Sequence, residues 1–197
     1  GGRPVAITTT DVDGSFELRR VPVTRSTPIV IQKGRWRKVI NLNVGRCEQQ
    51  GLTAEETRLP KDRSEGILPR MAVAIGEWDA IECVLRKIGV QDTEFSGPGT
   101  SSSIHLYDNA KPGGAGAPGG ANIGSLVRDL NRMLEYNIIF LNCSDVDYAQ
   151  SLLSDPAVIK NLAEYVRRGG RLYVTDWSYT FIQQVPEFSP FICFNDD

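Results

Sequence analysis

The spacing of apolar residues divides the chain into two regions of different character. Between residues 7 and 44, short stretches alternate polar and apolar side chains and are separated by turn residues, a pattern typical of β-strands. We predict strands at residues 15–18, 29–32 and 39–44, a turn at 11–14, a loop between Pro22 and Pro28, and a hairpin turn at Lys33-Gly34. This region is therefore predicted to be all-β.

From residue 71 onward, strand patterns alternate with helical ones. The predicted strands are residues 71–75, 104–107, 136–142 and 171–175, and the predicted helices are residues 81–88, 125–135 and 156–168, with a further helix beginning within 177–184. Such alternation indicates a parallel sheet flanked by helices on both faces. The uninterrupted apolar run of the third strand predicts a central strand that is covered on both faces.

Capping residues set the predicted ends of the helices. Asp155 before Pro156 predicts the start of the third helix, and the glycine pair beginning at Gly169 predicts its end. Gly89 predicts the end of the first helix, and Ser125 is predicted to cap the second.

A polar segment separates the two regions. Residues 46–69 carry several glycines and prolines and no sustained apolar period, which predicts an interdomain connection. We therefore assign residues 1–45 to a β module, 46–69 to a linker and 70–197 to an α/β domain that is expected to be incomplete at its C-terminus. Part of the linker is expected to pack on a neighbouring surface, and a disulfide from Cys47 to Cys83 is one plausible anchor.

Composition places the chain among ordinary globular proteins, since 41% of its 197 residues are hydrophobic and 23% are charged. No apolar run approaches the roughly 20 residues of a transmembrane helix. The sequence does not decide whether a signal peptide or lipid anchor lies upstream. The net charge of −2 and the pI near 5.6 disfavour a nucleic-acid partner. The basic cluster of Arg35, Arg37 and Lys38 is interpreted as a solvated hairpin end.

The four cysteines are Cys47, Cys83, Cys143 and Cys193, and none has a partner at CxxC spacing. This spacing disfavours a structural zinc site. The four cysteines permit three complete disulfide pairings, and they can also be unpaired, buried thiols. The sequence does not choose among these alternatives.

Short motifs in the β region resemble a known module. Residues 10–16 (TDVDGSF), followed by Val21-Pro22 and by residues 29–34, resemble the carboxypeptidase regulatory-like module, a transthyretin-like sandwich common in exported bacterial proteins. The resemblance implies a partial sandwich that is an accessory or adhesive unit without chemistry of its own, in a secreted or cell-envelope protein. A calcium loop beginning at Asp11 is not predicted, because its twelfth position is Pro22.

Segments of the α/β region resemble a second family. The resemblance to the class I glutamine amidotransferase-like superfamily is carried by residues 136–144 (YNIIFLNCS), 165–171 (YVRRGGR) and 172–176 (LYVTD). It covers about residues 71–182 and implies a flavodoxin-like sheet. The enzymes of that family carry a cysteine nucleophile on the turn after the last predicted strand, where this chain has Asp176. Cys143 lies one strand earlier, so the resemblance implies the fold without the amidotransferase reaction.

The carboxyl ends of the predicted strands form the candidate site. Open parallel sheets bind ligands outside these ends, where the strand order switches. If the strand order is 2-1-3-4, the ends of three adjacent strands converge, and the ligand-binding candidates are Gly76, Glu77, Asn142, Cys143, Ser144, Asp145, Thr175, Asp176, Trp177 and Ser178. Glu77, Asp145 and Asp176 are alternatively ligands of a hard cation, but helix capping and solvated loops explain them equally well, and no metal is assigned.

Catalytic signatures are weak throughout the chain. The only histidine, His105, lies in mid-strand and is poorly placed as a base for Cys143. Ser178 lacks the flanking glycines of a nucleophile elbow. The loop after the first strand lacks the glycine spacing of a dinucleotide-binding loop. The glycine-rich residues 111–124 lack the Gly-Lys-Ser/Thr ending of a phosphate-binding P-loop. No catalytic residue and no cofactor is predicted, and residues 111–124 are interpreted as a flexible surface insertion that is a candidate contact with a partner.

These observations favour a non-catalytic cell-envelope or extracellular protein that serves binding or assembly. A protein partner or self-assembly is expected, because a partial sandwich leaves open strand edges. Apolar side chains near the C-terminus point the same way, namely Phe188, Phe191, Ile192 and Phe194. The alternatives are a hydrolase-type enzyme and a small-ligand or carbohydrate-binding module, both using the strand ends.

Overall fold

The chain divides into two compact units, Gly1–Leu59 and Pro60–Asp197, in a computed structural model that describes residues 3–110, 117 and 120–192. The boundary falls inside the predicted linker. Among the described residues, no helix combines the length and the apolar character needed to cross a membrane. Most of the glycine-rich segment interpreted as a partner contact lies outside the described residues, as do Cys193 and Phe194.

The first unit contains an antiparallel hairpin. Strand β1 (Thr24–Lys33) pairs with strand β2 (Trp36–Val44), and Lys33 lies opposite Trp36. The two-residue loop between them begins at Gly34, whose φ of 59° is a left-handed conformation that glycine adopts without strain. Two of the three predicted strands lie within this hairpin.

Two details predicted for the first unit are wrong. Residues 15–18 form no strand, and most of the loop predicted between Pro22 and Pro28 belongs to β1. Alternation over four residues is a weak signal when no neighbouring strand supplies hydrogen bonds. Pro28 fits inside β1 because each strand of a two-stranded ribbon has a free edge, at which a missing N–H breaks no ladder hydrogen bond.

The predicted linker contains a short helix that the sequence prediction missed. Helix α1 (Ala54–Thr57) begins with a capping box, in which Thr53 Oγ1 accepts from the N–H of Glu56 (3.3 Å) and Glu56 Oε2 accepts from the N–H of Thr53 (2.7 Å). The Thr-x-x-Glu spacing is the local signal for this cap. Cys47 and Cys83, between which a disulfide was one plausible anchor, are both free and exposed.

The second unit is built on a five-stranded parallel sheet. Its strands are β3 (Met71–Ile75), β4 (Phe95–Ser96), β5 (Ile104–Asp108), β6 (Ile138–Leu141) and β7 (Arg171–Val174). They are ordered β4-β5-β3-β6-β7, and each neighbouring pair is parallel. The four strands expected from the sequence thus have the order 2-1-3-4 on which the candidate site depends, with the short β4 added at one edge. The chain is therefore a mixed α/β protein.

Helices follow the strands of the second unit. They are α2 (Ile81–Lys87), α3 (Ile123–Val127), α4 (Leu130–Met133), α5 (Val146–Leu153), α6 (Pro156–Arg167) and α7 (Thr180–Gln183), with 3₁₀ turns at Asp92–Glu94, Asp176–Tyr179 and Ser189–Phe191. The cap predictions for α6 are confirmed, because Asp155 accepts from the N–H of Ala157 (2.9 Å) and Gly169 has a φ of 91°. Helix α2 likewise ends before Gly89, whose φ is 106°.

The helix predicted over residues 125–135 is instead the two short helices α3 and α4. The side chain of Asp129 accepts hydrogen bonds from two N–H groups of the following turn, which starts a new helix at this point. Asn122, rather than Ser125, caps α3. Helix α5 is absent from the sequence prediction, which assigned its N-cap residue, Asp145, to the ligand site.

The main hydrophobic core lies on one face of the sheet. Ala72 and Ala74 of β3 and Ile139 and Leu141 of β6 form one buried cluster with side chains of α3, α4, α5, α6 and α7. On the opposite face, α2 packs on β3 and buries Leu85. Helices therefore cover both faces, as predicted, but unequally.

Strand β6 is fully covered on one face only, so the prediction that both of its faces are covered is wrong. Ile139 and Leu141 are fully buried, whereas Ile138 and Phe140 on the other face are partly exposed. The Phe140 ring lies 5.4 Å from the ring of Tyr173, which is 50% exposed. Strands β3 and β5 are instead the ones buried on both faces, and α2 packs on β3.

Candidate functional site

The predicted site lies at the carboxyl edge of the sheet, where β3, β5, β6 and β7 end. The hydrogen-bond ladder continues past the strands, since the N–H of Asn142 donates to the Ala74 carbonyl (3.2 Å) and the N–H of Thr175 donates to the Leu141 carbonyl (3.1 Å). Asn142 and Thr175 therefore lie side by side. Hydrogen bonds and close backbone contacts bring together six predicted residues at this edge: Gly76, Asn142, Cys143, Thr175, Asp176 and Ser178.

Gly76, directly after β3, is a point of very close contact between two strand ends. A Cβ atom added to it would lie 1.9 Å from the carbonyl oxygen of Cys143 and 3.1 Å from the carbonyl carbon of Asn142. The backbone that follows β6 thus occupies the space that a side chain would need, and only glycine fits.

Asn109, directly after β5, connects several strand ends. Because β3 lies between β5 and β6, the Asn109 side chain crosses the end of β3 and donates through Nδ2 to the Asn142 carbonyl (2.7 Å) and to Ser178 Oγ (3.2 Å). Ser178 Oγ donates to the same carbonyl (2.7 Å). Asn109 and Ser178 are both 2% exposed, so this bridge is buried and the Ser178 hydroxyl is engaged by the backbone.

Two acidic residues at the start of α2 reach the ends of β6 and β7. Thr175 Oγ1 accepts from the N–H of Cys143 (2.9 Å) and donates to Asp79 Oδ2. Asn142 Nδ2 donates to Glu82 Oε2 (3.4 Å). The neighbouring side chains of Thr175 and Asn142 thus each contact one carboxylate.

The thiol of Cys143 is buried, with an exposed fraction of 2%, and its Sγ donates to Asp176 Oδ2 at 3.5 Å. Burial raises the pKa of the Cys143 thiol, a hydrogen bond with the Trp177 backbone lowers it, and the carboxylate of Asp176 raises it again, so that the pKa lies above its ordinary value. Asp176 has a φ of 39°, a left-handed conformation that is uncommon for a residue other than glycine and that clusters at functional turns. The thiol is therefore held in its protonated form.

His105 lies well away from this thiol. It pairs with Ala72, four residues before Gly76 along β3, which separates it from the carboxyl edge by about 13 Å at the usual rise of a strand. Its Nδ1 lies 2.7 Å from Tyr136 Oη. Burial lowers the pKa of His105, which favours the neutral ring.

Three of the predicted site residues take other positions. Asp145 accepts from the N–H of Asp147 (2.9 Å) as the N-cap of α5. The side chains of Glu77 and Trp177 are exposed, although the backbone of Trp177 hydrogen-bonds to Cys143. Within the described ranges, no group of three or more His, Cys, Asp or Glu side chains is arranged to hold a metal ion. The geometry therefore gives no support to a cation site made of Glu77, Asp145 and Asp176.

Buried oxygens without a hydrogen-bond partner are concentrated at this edge. In the part of the chain that the structure describes, the buried side-chain N or O atoms without a partner are Asp79 Oδ1, Asn109 Oδ1, Asn142 Oδ1, Ser144 Oγ and Thr180 Oγ1. All five belong to segments that follow β3, β5, β6 or β7. Buried polar atoms are nearly always hydrogen-bonded in native proteins, so these five oxygens are positions that ordered water or a bound group would satisfy.

Sequence reasoning missed four residues of this edge: Asp79, Glu82, Asn109 and Thr180. Asn109 directly follows β5, and the strand-end rule finds it once that strand is included. Asp79 and Glu82 lie at the entrance to α2, where acidic residues are ordinarily explained by their favourable interaction with a helix N-terminus. Their role here depends on contacts with β6 and β7 that have no local signal.

Comparisons with protein-family models, with curated proteins and with solved structures found no match. The geometry of the carboxyl edge is therefore the main basis for proposing a function.

Proposed function

We propose that this chain is a non-catalytic protein that binds a small polar ligand at the carboxyl edge of its sheet and takes part in assembly in the cell envelope or the extracellular space. The observation that carries the binding role is the set of five buried oxygens without partners. Their location agrees with the general rule that open parallel sheets bind ligands outside the carboxyl ends of their strands.

The environment of Cys143 supports a binding role over a catalytic one. A cysteine attacks as its thiolate, which forms beside cationic groups or helix N-termini. Cys143 is instead buried beside the carboxylate of Asp176, and its pKa is raised. We further propose an amidotransferase-like, flavodoxin-like fold for the second unit. In that fold, Asp176 stands on the turn where the related enzymes carry their nucleophile.

The sequence of the first unit supports the proposed location. Residues 10–16 and 29–34 resemble the carboxypeptidase regulatory-like module, and we propose that β1 and β2 belong to a partial sandwich of this type. Such modules are accessory units of exported proteins. In this proposal, the first unit docks onto a partner and the second unit binds the ligand.

Substitution of Cys143→Ser is expected to leave ligand binding, and any turnover of esters, amides or glycans, within about tenfold of the wild type. The reason is that the thiol is protonated and buried. Cys83→Ser, at an exposed free cysteine, is the matched control. A loss above roughly a hundredfold, about 2.7 kcal/mol of barrier, in a folded Cys143→Ser protein would contradict the non-catalytic role.

The exposed face of the hairpin supports the assembly role. Val30 and Val39 lie opposite each other in the β1–β2 register and are 46% and 41% exposed. A two-stranded sheet by itself is marginally stable in water, and free strand edges pair readily with other chains. We propose that a second copy of the chain covers this face.

Sedimentation velocity at micromolar concentration is expected to show the full-length protein as a species larger than the monomer. Val39→Glu is expected to return it to the monomer, because a charge would be buried in the proposed contact. Val12→Glu, at a fully exposed position outside the strands, is expected to leave assembly unchanged. A wild-type protein that sediments as a monomer would remove self-assembly from the proposal.

A further inference from the structure

We propose that the side chains of Asp79, Glu82, Asn142 and Thr175 form a binding site for the primary ammonium group of a small-molecule ligand. We call these four residues the edge oxygen cluster. The inference rests on the proposed binding function of the carboxyl edge and specifies the chemistry of the ligand.

The contacts of the cluster join its side chains in two neighbouring pairs. Asn142 and Thr175 are neighbours across the ends of β6 and β7. Asp79 accepts from the hydroxyl of Thr175, and Glu82 accepts from the amide nitrogen of Asn142 at 3.4 Å. Residues from the α2 entrance and from two strands therefore meet at this edge.

Two oxygen atoms of the cluster are buried acceptors without a donor. The Asn142 side chain is fully buried, and because its Nδ2 donates to Glu82, the unpartnered atom Oδ1 is an acceptor. Asp79 Oδ2 accepts from Thr175, which leaves Oδ1 as the second buried acceptor without a partner. A ligand that supplies hydrogen-bond donors would remove the cost of leaving both atoms unsatisfied.

The charge of the cluster favours a cation. Asp79 and Glu82 are acidic, and in the described residues neither forms an ion pair with a lysine or an arginine. Both carboxylates and Thr175 are only partly buried, so the cluster borders on solvent. Hydrogen bonds between an ammonium and a carboxylate are among the stronger ones in proteins.

The number of donors that the cluster needs favours an ammonium group over a divalent metal. Calcium takes six to eight oxygen ligands, more than the two carboxylates, one amide and one hydroxyl of this cluster supply, whereas magnesium keeps several of its own waters and is distinguished by the titration below. Among the described residues, no three His, Cys, Asp or Glu side chains are grouped for a metal. An ammonium group has three N–H donors, one each for Asp79, Asn142 and Glu82.

The test is calorimetric titration of the full-length protein with methylammonium chloride, beside tetramethylammonium chloride and magnesium chloride at equal ionic strength. Tetramethylammonium has the same charge but no N–H donor. We expect heat of binding with methylammonium alone. Glu82→Gln and Asp79→Asn are each expected to weaken this binding at least tenfold, because each removes a charge-assisted hydrogen bond. Glu77→Gln, at an exposed acidic residue nearby in sequence, is expected to bind as the wild type does.

Each other result overturns the assignment. Binding of magnesium without methylammonium would show a metal site, and equal binding of both organic cations would show non-specific charge attraction. No binding of any cation would mean that buried water satisfies these oxygens. Glucose and xylose are titrated in the same assay to separate this inference from the proposed function. If a neutral sugar binds instead of methylammonium, and Glu82→Gln weakens that binding, the proposed binding function is retained and the ammonium site is excluded. If Asp79→Asn fails to fold, Glu82→Gln decides the result.

Discussion

Substitution of Gly76→Ala is expected to lower the free energy of unfolding of the second unit by about 3 kcal/mol. The added Cβ would lie 1.9 Å from the carbonyl oxygen of Cys143, and 2.8 Å and 3.1 Å from the carbonyl carbons of Cys143 and Asn142. All three are backbone atoms, so no side-chain rotation relieves the clash. The end of β6 must move away from the end of β3, which also pulls the Asn142 carbonyl from the Asn109 side chain.

Chemical denaturation of the full-length protein, followed by tryptophan fluorescence, measures this loss. Gly51→Ala is the matched control, because an added Cβ there has no heavy atom within 4 Å and its φ is not in the left-handed region. We expect the control to change the midpoint only slightly. An unchanged midpoint for Gly76→Ala would mean that the two strand ends are not in close contact.

Substitution of Glu94→Gln is expected to cost about 3 kcal/mol of stability. Glu94 is 3% exposed, and each of its oxygens accepts from a backbone N–H, Oε1 from Arg63 (3.0 Å) and Oε2 from Ser103 (3.1 Å). Arg63 Nε also contacts both oxygens, at 3.2 Å and 3.0 Å. Whichever position the glutamine NH₂ takes, it faces an N–H donor, so one hydrogen bond becomes a repulsive contact.

The effect of Glu94→Gln is also expected to depend on pH. Burial by itself raises the pKa of Glu94, but hydrogen bonds from Arg63 and Ser103 outweigh burial and hold the pKa below its usual 4.5. A carboxyl group with a lowered pKa binds fewer protons in the folded state, so its stabilising contribution is complete above about pH 4.5 and disappears as the pH falls through the folded-state pKa. The stability difference between wild type and variant should therefore shrink in acid.

Glu135→Gln is the control for Glu94→Gln. Glu135 pairs with Arg70 at 3.6 Å, and both side chains are about half exposed. Exposed pairs of this kind contribute about 0–1 kcal/mol, and we expect a change below about 0.5 kcal/mol at all pH values. Equal effects of the two substitutions, measured by denaturation between pH 3 and 7, would contradict the special role of Glu94.

Elements specified by local signals could be predicted from the sequence. The strand at residues 71–75 is found because five consecutive apolar residues pack on both sheet faces. The start of α6 is found because Asp155 and Pro156 act on the next turn of the same chain. Alternation of strands and helices, together with the right-handed crossover of parallel strands, limits the possible sheet orders to a few.

Parts of the fold with competing local signals could not be predicted in the same way. The apolar run over residues 136–142 indicates a buried strand, but whether a helix covers each face depends on where α2 packs. The apolar residues over 125–135 follow one helical period, but the helix is interrupted at Asp129. The Asp129 side chain caps a new helix there, which the periodic pattern does not indicate. In both places the packing of distant elements, or a single side chain, outweighs the periodic pattern.

The carboxyl edge shows the same division between local and distant information. The sequence by itself located the strands at residues 71–75, 138–141 and 171–174 to within two residues at each end, because periodicity and turn chemistry act over a few neighbouring residues. Only the tertiary structure decided that Gly76 lies against the Cys143 carbonyl, and that Asp79 contacts Thr175, 96 residues away. The physical reason is that such contacts follow from how strands and helices pack, and packing depends on the whole set of side chains between them.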